Sequence, residues 1–355
     1  MKPTARNKTA TVKDVAKACG LSLSSVIHIL GGREQRYREE TCRLVKETAR
    51  RLGYRRNSSA RAMRSGRFDC ITLLMSAHPD TTLLHQAAIE GICDALAEHD
   101  MHLNVARLPN ETLEDASLVP KLLREWTADG LLVAIATHIP PDMVDRIAAS
   151  RLPCVWIRSK LERDCVYLDE ADAARKAVDH LLGLGHRRIA FADYTFGSLS
   201  KSAGHYGIVE FEDGYCRRMS DAGLAPRVIR ESDRVERSDR VGRWVDVLSK
   251  PRRPTAVVAS VSTALPLMTA ALTLGLRIPD DLSIITQGDR VNNVTGITLT
   301  TLTFSEHEIG RQSAAMLVQR IRGGAGPLPP VLIQSVLEAP ESCAPPRKEG
   351  KKERT

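Results

Sequence analysis

Residues 11–32 read TVKDVAKACGLSLSSVIHILGG, and their spacing decides the architecture of the N-terminal unit. Val12, Val15, Ala16 and Cys19 recur at helical intervals and mark one face of a short helix. Gly20 breaks the pattern. Ser22 can cap a second helix whose inward face is Val26, Ile29 and Leu30, and Gly31-Gly32 end it. Two short helices joined by a glycine turn have the geometry of a helix-turn-helix, whose second helix lies in the major groove of a duplex. With the apolar face committed to the core, Leu23, Ser24 and His28 are left to face base edges. Ser22 and Ser25 stand where hydroxyls at a helix N-terminus hold phosphates. An ordinary small helical bundle is the competing reading of the same pattern.

Outward from this stretch, Arg38–Leu52 reads as a third helix, with Leu44, Val45, Thr48, Ala49 and Leu52 facing in and Gly53 closing it. Residues 1–10 are polar and are expected to be disordered. Asn57–Arg64 is a short helix-compatible segment between basic residues, ended by Gly66. Residues 1–67 carry 17 Lys and Arg against 5 Asp and Glu, while the remainder carries 34 against 38. A basic first fifth on a mildly acidic body points to a nucleic-acid partner. Lys13, Arg33, Arg36, Arg55 and Arg56 are the cations placed to neutralise phosphates.

From Phe68 the rhythm changes. Apolar runs at Cys70–Met75, His102–Ala106, Gly130–Ile135, Cys154–Ile157, Arg188–Ala192, Ala256–Ala259 and Leu282–Thr286 read as strands. Amphipathic stretches such as Gln86–His99, Leu118–Thr127, Asp172–Leu184 and Ala264–Leu274 alternate with them. Strand alternating with helix predicts parallel sheets covered on both faces, arranged as two Rossmann-like halves. His186-Arg187-Arg188, just before a strand, reads as surface.

Several classes are excluded. The cysteines Cys19, Cys42, Cys70, Cys93, Cys154, Cys165, Cys216 and Cys343 form no CxxC pair and no Cys/His ligand spacing, so no metal site or other cofactor is expected. No GxSxG elbow or phosphate loop appears, and Gly183-x-Gly185 follows a helix rather than a strand, so an enzyme is not expected. The chain has no long apolar stretch and no signal-peptide pattern, which predicts a cytoplasmic, nucleoid-associated protein without a membrane partner.

The sequence resembles the lactose/galactose repressor family (LacI/GalR) of bacterial transcription regulators. VKDVAKACGLS, SSVIHILGG, REETCRLVKETARRLGY and RRNSSARAMRSGR carry the resemblance in the N-terminal part. HLLGLGHRRIAF, LGLRIPDDLSII, LTTL and ESCAPP continue it in order through the body. The resemblance implies an all-α helix-turn-helix domain with a hinge helix, followed by an α/β periplasmic-binding-protein-like body of two Rossmann-like subdomains. It implies a repressor that binds a palindromic operator in double-stranded DNA as a homodimer, with a small-molecule effector in the inter-subdomain cleft. No leucine heptad follows the body, so an appended tetramer helix is not expected.

On this resemblance residues 11–56 are the reading head, 57–66 the hinge, 67–340 the body and 341–355 a disordered tail. The N-subdomain takes about 68–164 and 295–320, and the C-subdomain about 166–290 and 326–340. The chain crosses between them near Asp164–Tyr167, Arg290–Val294 and Ile321–Gly326. The hinge begins at Asn57, small Ala60 permits close helix approach, and Met63 is the wedge that kinks a base step. A plain basic linker is the alternative. Ile27 stands where relatives commonly have a serine, and His28 where arginine or another polar reader is frequent.

The pocket departs most. Phe211 holds the position of the effector-clamping arginine, three residues before Gly214-Tyr215, and Ser260-Val261 replace an Asn-Asp pair. Two strong polar anchors are thereby absent. His78, Asp169, Asp289 and Phe304 are the other candidate pocket residues, with a helix N-cap as the alternative role for Asp169. A sugar held by other residues, an atypical and less polar ligand, or no ligand at all stay open. A periplasmic-type binding protein and an effector-independent regulator are the rival functions.

Overall fold

A computed structural model describes residues 10–55, 62, 66–76, 84–108, 127–135, 141–193, 205–230, 239–294, 296–323 and 326–347. The chain divides into two compact units, residues 1–68 and 69–355. Most of the hinge, with Arg56, Asn57, Ala60 and Met63, lies outside the described residues, as do the polar N-terminus before Ala10, His78, Leu118–Trp126 and residues 348–355.

In the first unit, helices α1 (Val12–Cys19), α2 (Leu23–Leu30) and α3 (Glu39–Arg51) enclose a small core. Thr11 opens α1 with a capping box: its Oγ1 accepts from the Asp14 N–H, and the Asp14 carboxylate accepts from the Thr11 N–H at 2.8 Å. Gly20 ends it at φ 65°, a left-handed conformation that costs glycine nothing. Ser22 caps α2 by accepting from the Ser25 N–H at 3.1 Å. Val15, Ala16, Val26, Ile29, Cys42, Val45 and Ala49 form the core. Leu44 and Leu52 do not join it. Leu44 is 47 % exposed, because Cys42, Val45 and Ala49 hold the inward stripe of α3, and Leu52 sits past the last turn as its C-cap.

The second unit alternates strand and helix. Its elements are β1 (Cys70–Ser76), α4 (Gln86–Ala97), β2 (His102–Leu108), β3 (Gly130–Ala134), α5 (Pro141–Ala149), β4 (Cys154–Ile157), β5 (Cys165–Leu168), α6 (Glu170–Gly183), β6 (Ile189–Asp193), α7 (Tyr206–Asp221), β7 (Val228–Arg230), α8 (Arg240–Leu248), β8 (Ala256–Ser260), α9 (Val261–Thr273), β9 (Ser283–Gly288), β10 (Asn293–Val294), β11 (Ile297–Thr298), β12 (Thr300–Thr303), α10 (Glu306–Gly323), β13 (Val331–Ile333) and β14 (Val336–Glu338). One sheet has the order β13-β5-β4-β3-β1-β2 and is parallel throughout. The other has the order β14-β12-β9-β8-β6-β7, parallel except for β14. The central strands are buried on both faces, as GLLVA and CVWI are from end to end, so they read as continuous apolar runs rather than alternations.

The crossings between the two lobes differ from the sequence-based positions. Strand β5 still pairs in the first sheet, so the first crossing follows Leu168. Strand β12 pairs in the second sheet, so the next crossing follows Thr303 and not Arg290–Val294. Strand β13 returns to the first sheet beside β5, so the last crossing lies between Ile333 and Val336. These strands are three or four residues long. Their membership is set by long-range pairing that no local pattern carries.

Two further corrections concern the end of the chain. The segment assigned to a disordered tail is packed as far as Arg347. Ser342 is fully buried, accepting from the Thr300 N–H at 2.7 Å and donating to the Ile284 carbonyl at 2.5 Å. His186, read as surface, is buried beneath it. Its Nε2 donates to the Ala344 carbonyl at 2.9 Å, and its Nδ1 lies 2.9 Å from the Thr255 hydroxyl.

Candidate nucleic-acid interface and ligand cleft

In the first unit, helix α2 presents Leu23 and Ser24 to solvent. The Ser22 and Ser25 hydroxyls lie 2.8 Å apart at its N-terminus, where the helix dipole favours an anion. His28 is half-buried, and its Nδ1 lies 3.2 Å from the Tyr37 hydroxyl. That contact sets the ring's orientation and leaves Nε2 as the nitrogen available to a base edge. Sequence reasoning missed Tyr37; its only signal was a lone aromatic between the second and third helices. Lys13, Arg33, Arg36 and Arg55 are all exposed, and none is paired with a carboxylate among the described residues.

In the second unit, a cavity of about 390 Å³ opens between the lobes at the C-terminal ends of the strands. In the second sheet the strand order reverses between β6 and β8, the crevice where doubly wound folds bind ligands. Phe191 in the middle of β6, Val258 to Ser260 at the end of β8, and Gln287 and Gly288 at the end of β9 are all on its wall. The expected residues Phe211, Ser260, Val261, Asp289 and Phe304 line it. Phe211, where relatives have a clamping arginine, stacks on Phe191 with centroids 5.3 Å apart. Ser260 is the N-cap of α9, accepting from the Thr263 N–H at 3.3 Å.

Asp169 does not line the cavity. Its carboxylate turns back to cap α6, accepting from the Asp172 N–H at 3.1 Å, and its neighbour Glu170 faces the cavity instead. Arg158, Glu170, His205 and Gln287 were not foreseen. Arg158 follows β4 and is ion-paired with the fully buried Glu306 at the head of α10. Its guanidinium lies over the Phe304 ring, 5.0 Å from the centroid. Gln287 donates to Glu170 at 2.6 Å. His205 caps α7: its Nδ1 accepts from the Gly207 N–H at 3.1 Å, so Nε2 carries the proton and donates to the Arg158 carbonyl at 2.7 Å. Burial, with Arg158⁺ nearby, pushes the His205 pKa down to about 4. The available signal was weak: charged or polar residues directly after buried strands, as in CVWIR and SIITQG.

Among the described residues no group of side chains has the composition of a metal site, and no helix is long and apolar enough to cross a membrane.

A periplasmic binding protein-like domain matches residues 178–343. The chain is 26% identical over 319 residues to catabolite control protein A of Priestia megaterium, covering 87% of this chain and 92% of that protein. It is 30% identical over 228 residues to the HTH-type transcriptional regulator PtxS of Pseudomonas plecoglossicida, covering 62% of this chain and 63% of that one. Among solved structures, the Lac repressor bound to ONPG in the repressed state superposes with a TM-score of 0.78 at 20% identity, covering 95% of this chain and 100% of that one. At that identity the likeness is one of fold.

Proposed function

We propose that the chain is a transcription regulator of the LacI/GalR type, in which residues 11–56 read an operator, 57–66 form the hinge, and a small molecule in the inter-lobe cavity sets the affinity for DNA. The observation that carries this reading is helix α2, with a hydroxyl-lined N-terminus, exposed Leu23 and Ser24, half-buried His28, and exposed cations in the same unit that pair with no carboxylate among the described residues. The protein acts as a repressor in the cytoplasm, and the cavity supplies the effector site. Arg33, Arg36, Lys13 and Arg55 neutralise phosphates, while Leu23, Ser24 and His28 choose bases.

Two kinds of DNA experiment follow. Neutralising about eight phosphates gives a log affinity against log salt slope near −7 on a selected site. Ser24→Ala or His28→Ala costs about 1–3 kcal/mol on the best site and relaxes the selected motif, with little change in the salt slope. A slope near zero, or an unchanged motif in both variants, rejects the assignment of α2 to the groove.

The functional form is a homodimer, since one head spans too few base pairs to bind tightly alone. Helix α9 leaves Leu265 and Leu272 exposed on one side, at 48 % and 62 %, and a second copy of this chain covers that face. Leu265→Asp with Leu272→Asp is expected to move sedimentation from two chains to one at micromolar concentration. A variant that still sediments as a dimer places the interface elsewhere.

A further inference from the structure

We propose that the cavity takes a flat, weakly polar ring compound, aromatic or heteroaromatic with its polar atoms on one edge, rather than a polyol. The inference rests on the reading of the cavity as the effector site and commits it to one ligand class.

Among the described residues, the inner polar atoms of the cavity are largely engaged with the protein itself. Both ring nitrogens of His205 are engaged, one by the Gly207 N–H and one by the Arg158 carbonyl. The Gln287 amide nitrogen is spent on Glu170, and Arg158 is ion-paired with Glu306 through Nη1, while its buried Nε has no hydrogen-bond partner. A ligand atom that displaced Glu306 from Arg158 would strand a buried charge, which is unfavourable, so the Arg158 Nε–H is the donor left for one acceptor on a ligand's edge. The Ser260 hydroxyl caps α9 and contacts Ser262 and Thr263 at 2.9 Å. The apolar part of the wall is the Phe191–Phe211 stack, Phe304, Ile208, Val258 and Val261, and the polar part includes the Glu170 carboxylate and Arg158. His85, Ser262 and Arg290 are the exposed residues of the lining, while Asp289 and Asn292 are half-buried.

A sugar presents hydroxyls around its whole perimeter, and each one buried against this wall loses its water without gaining a partner. A planar ring meets the apolar wall with its faces, gains contact with the phenylalanine rings, and turns its polar edge to the Arg158 Nε–H and the other polar residues of the lining. Volume does not discriminate, since about 390 Å³ admits either class; the pairing of one buried unpartnered donor, Arg158 Nε, with aromatic walls does.

The test is a thermal-shift panel on the full chain with indole, benzoate, adenine, glucose, galactose and trehalose, each at about 1 mM, followed by calorimetric titration of any compound that shifts. At least one planar compound is expected to raise Tm by about 2 °C or more, and the three sugars by less than about 0.5 °C. Val261→Asp places a carboxylate on the apolar wall at the first residue of α9, where an acid suits the helix dipole and the fold is kept. It is expected to weaken the planar compound about tenfold or more. Phe211→Leu, which keeps an apolar side chain in the core, is expected to weaken it as well. A shift by a sugar that Val261→Asp alters keeps the cavity as the effector site and overturns the ring proposal. A planar shift untouched by both variants places the compound elsewhere and overturns both the proposal and the site. No shift by any planar compound overturns the proposal, while salt-dependent DNA binding still tests the regulator reading on its own.

Discussion

Gly310→Ala is expected to destabilise the body by about 3 kcal/mol or more, from the upper range of overpacking costs. Helices α4 and α10 cross with backbone against backbone. A Cβ on Gly310 would come within 1.9 Å of the Ala88 carbonyl oxygen, and a Cβ on Gly91 within 2.0 Å of the His307 carbonyl oxygen. Each glycine receives the other helix's carbonyl, and neither obstacle is a flexible side chain that can swing aside. Accommodating one methyl group means separating two helices that also pack on the first sheet, with Ile92, Leu96, Ile309 and Leu317 in the same core. Denaturant unfolding of the purified variant reads the effect. Gly242→Ala is the control: the position is helical and open within 4 Å, so that change should be neutral or stabilising by up to about 1 kcal/mol. Because both glycines serve one contact, Gly91→Ala and Gly310→Ala together should cost less than their sum. A Gly310→Ala variant within about 0.5 kcal/mol of the parent would show that the helices do not approach as closely as this.

The second expectation concerns acid. His186 and His205 are buried and hydrogen-bonded as neutral rings, and both are pushed below the ordinary histidine value, chiefly by burial. The unfolded chain titrates its histidines near pH 6.5, so below that pH it binds protons that the folded chain does not. Their contribution to stability is therefore fully present above about pH 7 and falls as pH drops through 6.5. For His205 the loss continues until the folded value of about 4 is reached, an order of about 3 kcal/mol in total. With both rings titrating, the unfolding free energy should decline by up to about 2.7 kcal/mol per pH unit between pH 6 and 5. His186→Gln should be less stable than the parent at pH 7.5, since Gln cannot meet Thr255, Ser283 and Ala344 with a rigid ring, yet its decline with pH should be shallower by up to about 1.4 kcal/mol per unit. An unchanged pH slope in this variant would assign the acid sensitivity to other groups.

The features legible in the residues alone are local ones. Thr11, Gly20 and Ser22 act on backbone groups within a few residues of themselves, so the ends of α1 and α2 are legible without knowing what they pack against. The apolar runs of β3, β4 and β8 are legible for a related reason: a strand buried on both faces has no polar positions to disguise it. The substitutions at Phe211 and Val261 were readable too, because they replace residues in motifs of fixed spacing.

Whatever depends on partners far along the chain was settled by long-range packing. Arg158 meets Glu306 only because the fold brings the end of β4 to the head of α10, 148 residues further along the chain. Nothing near CVWIR announces a carboxylate that distant. Asp169 and Glu170 stand side by side in sequence, yet one caps a helix and the other faces the cavity, a division set by where β5 stops and α6 begins. His186 looked like surface beside two arginines until the final segment of chain was laid over it. A short, uncovered His-Arg-Arg stretch and a buried histidine clamp have the same local pattern, and only the long-range contact to Ala344 separates them.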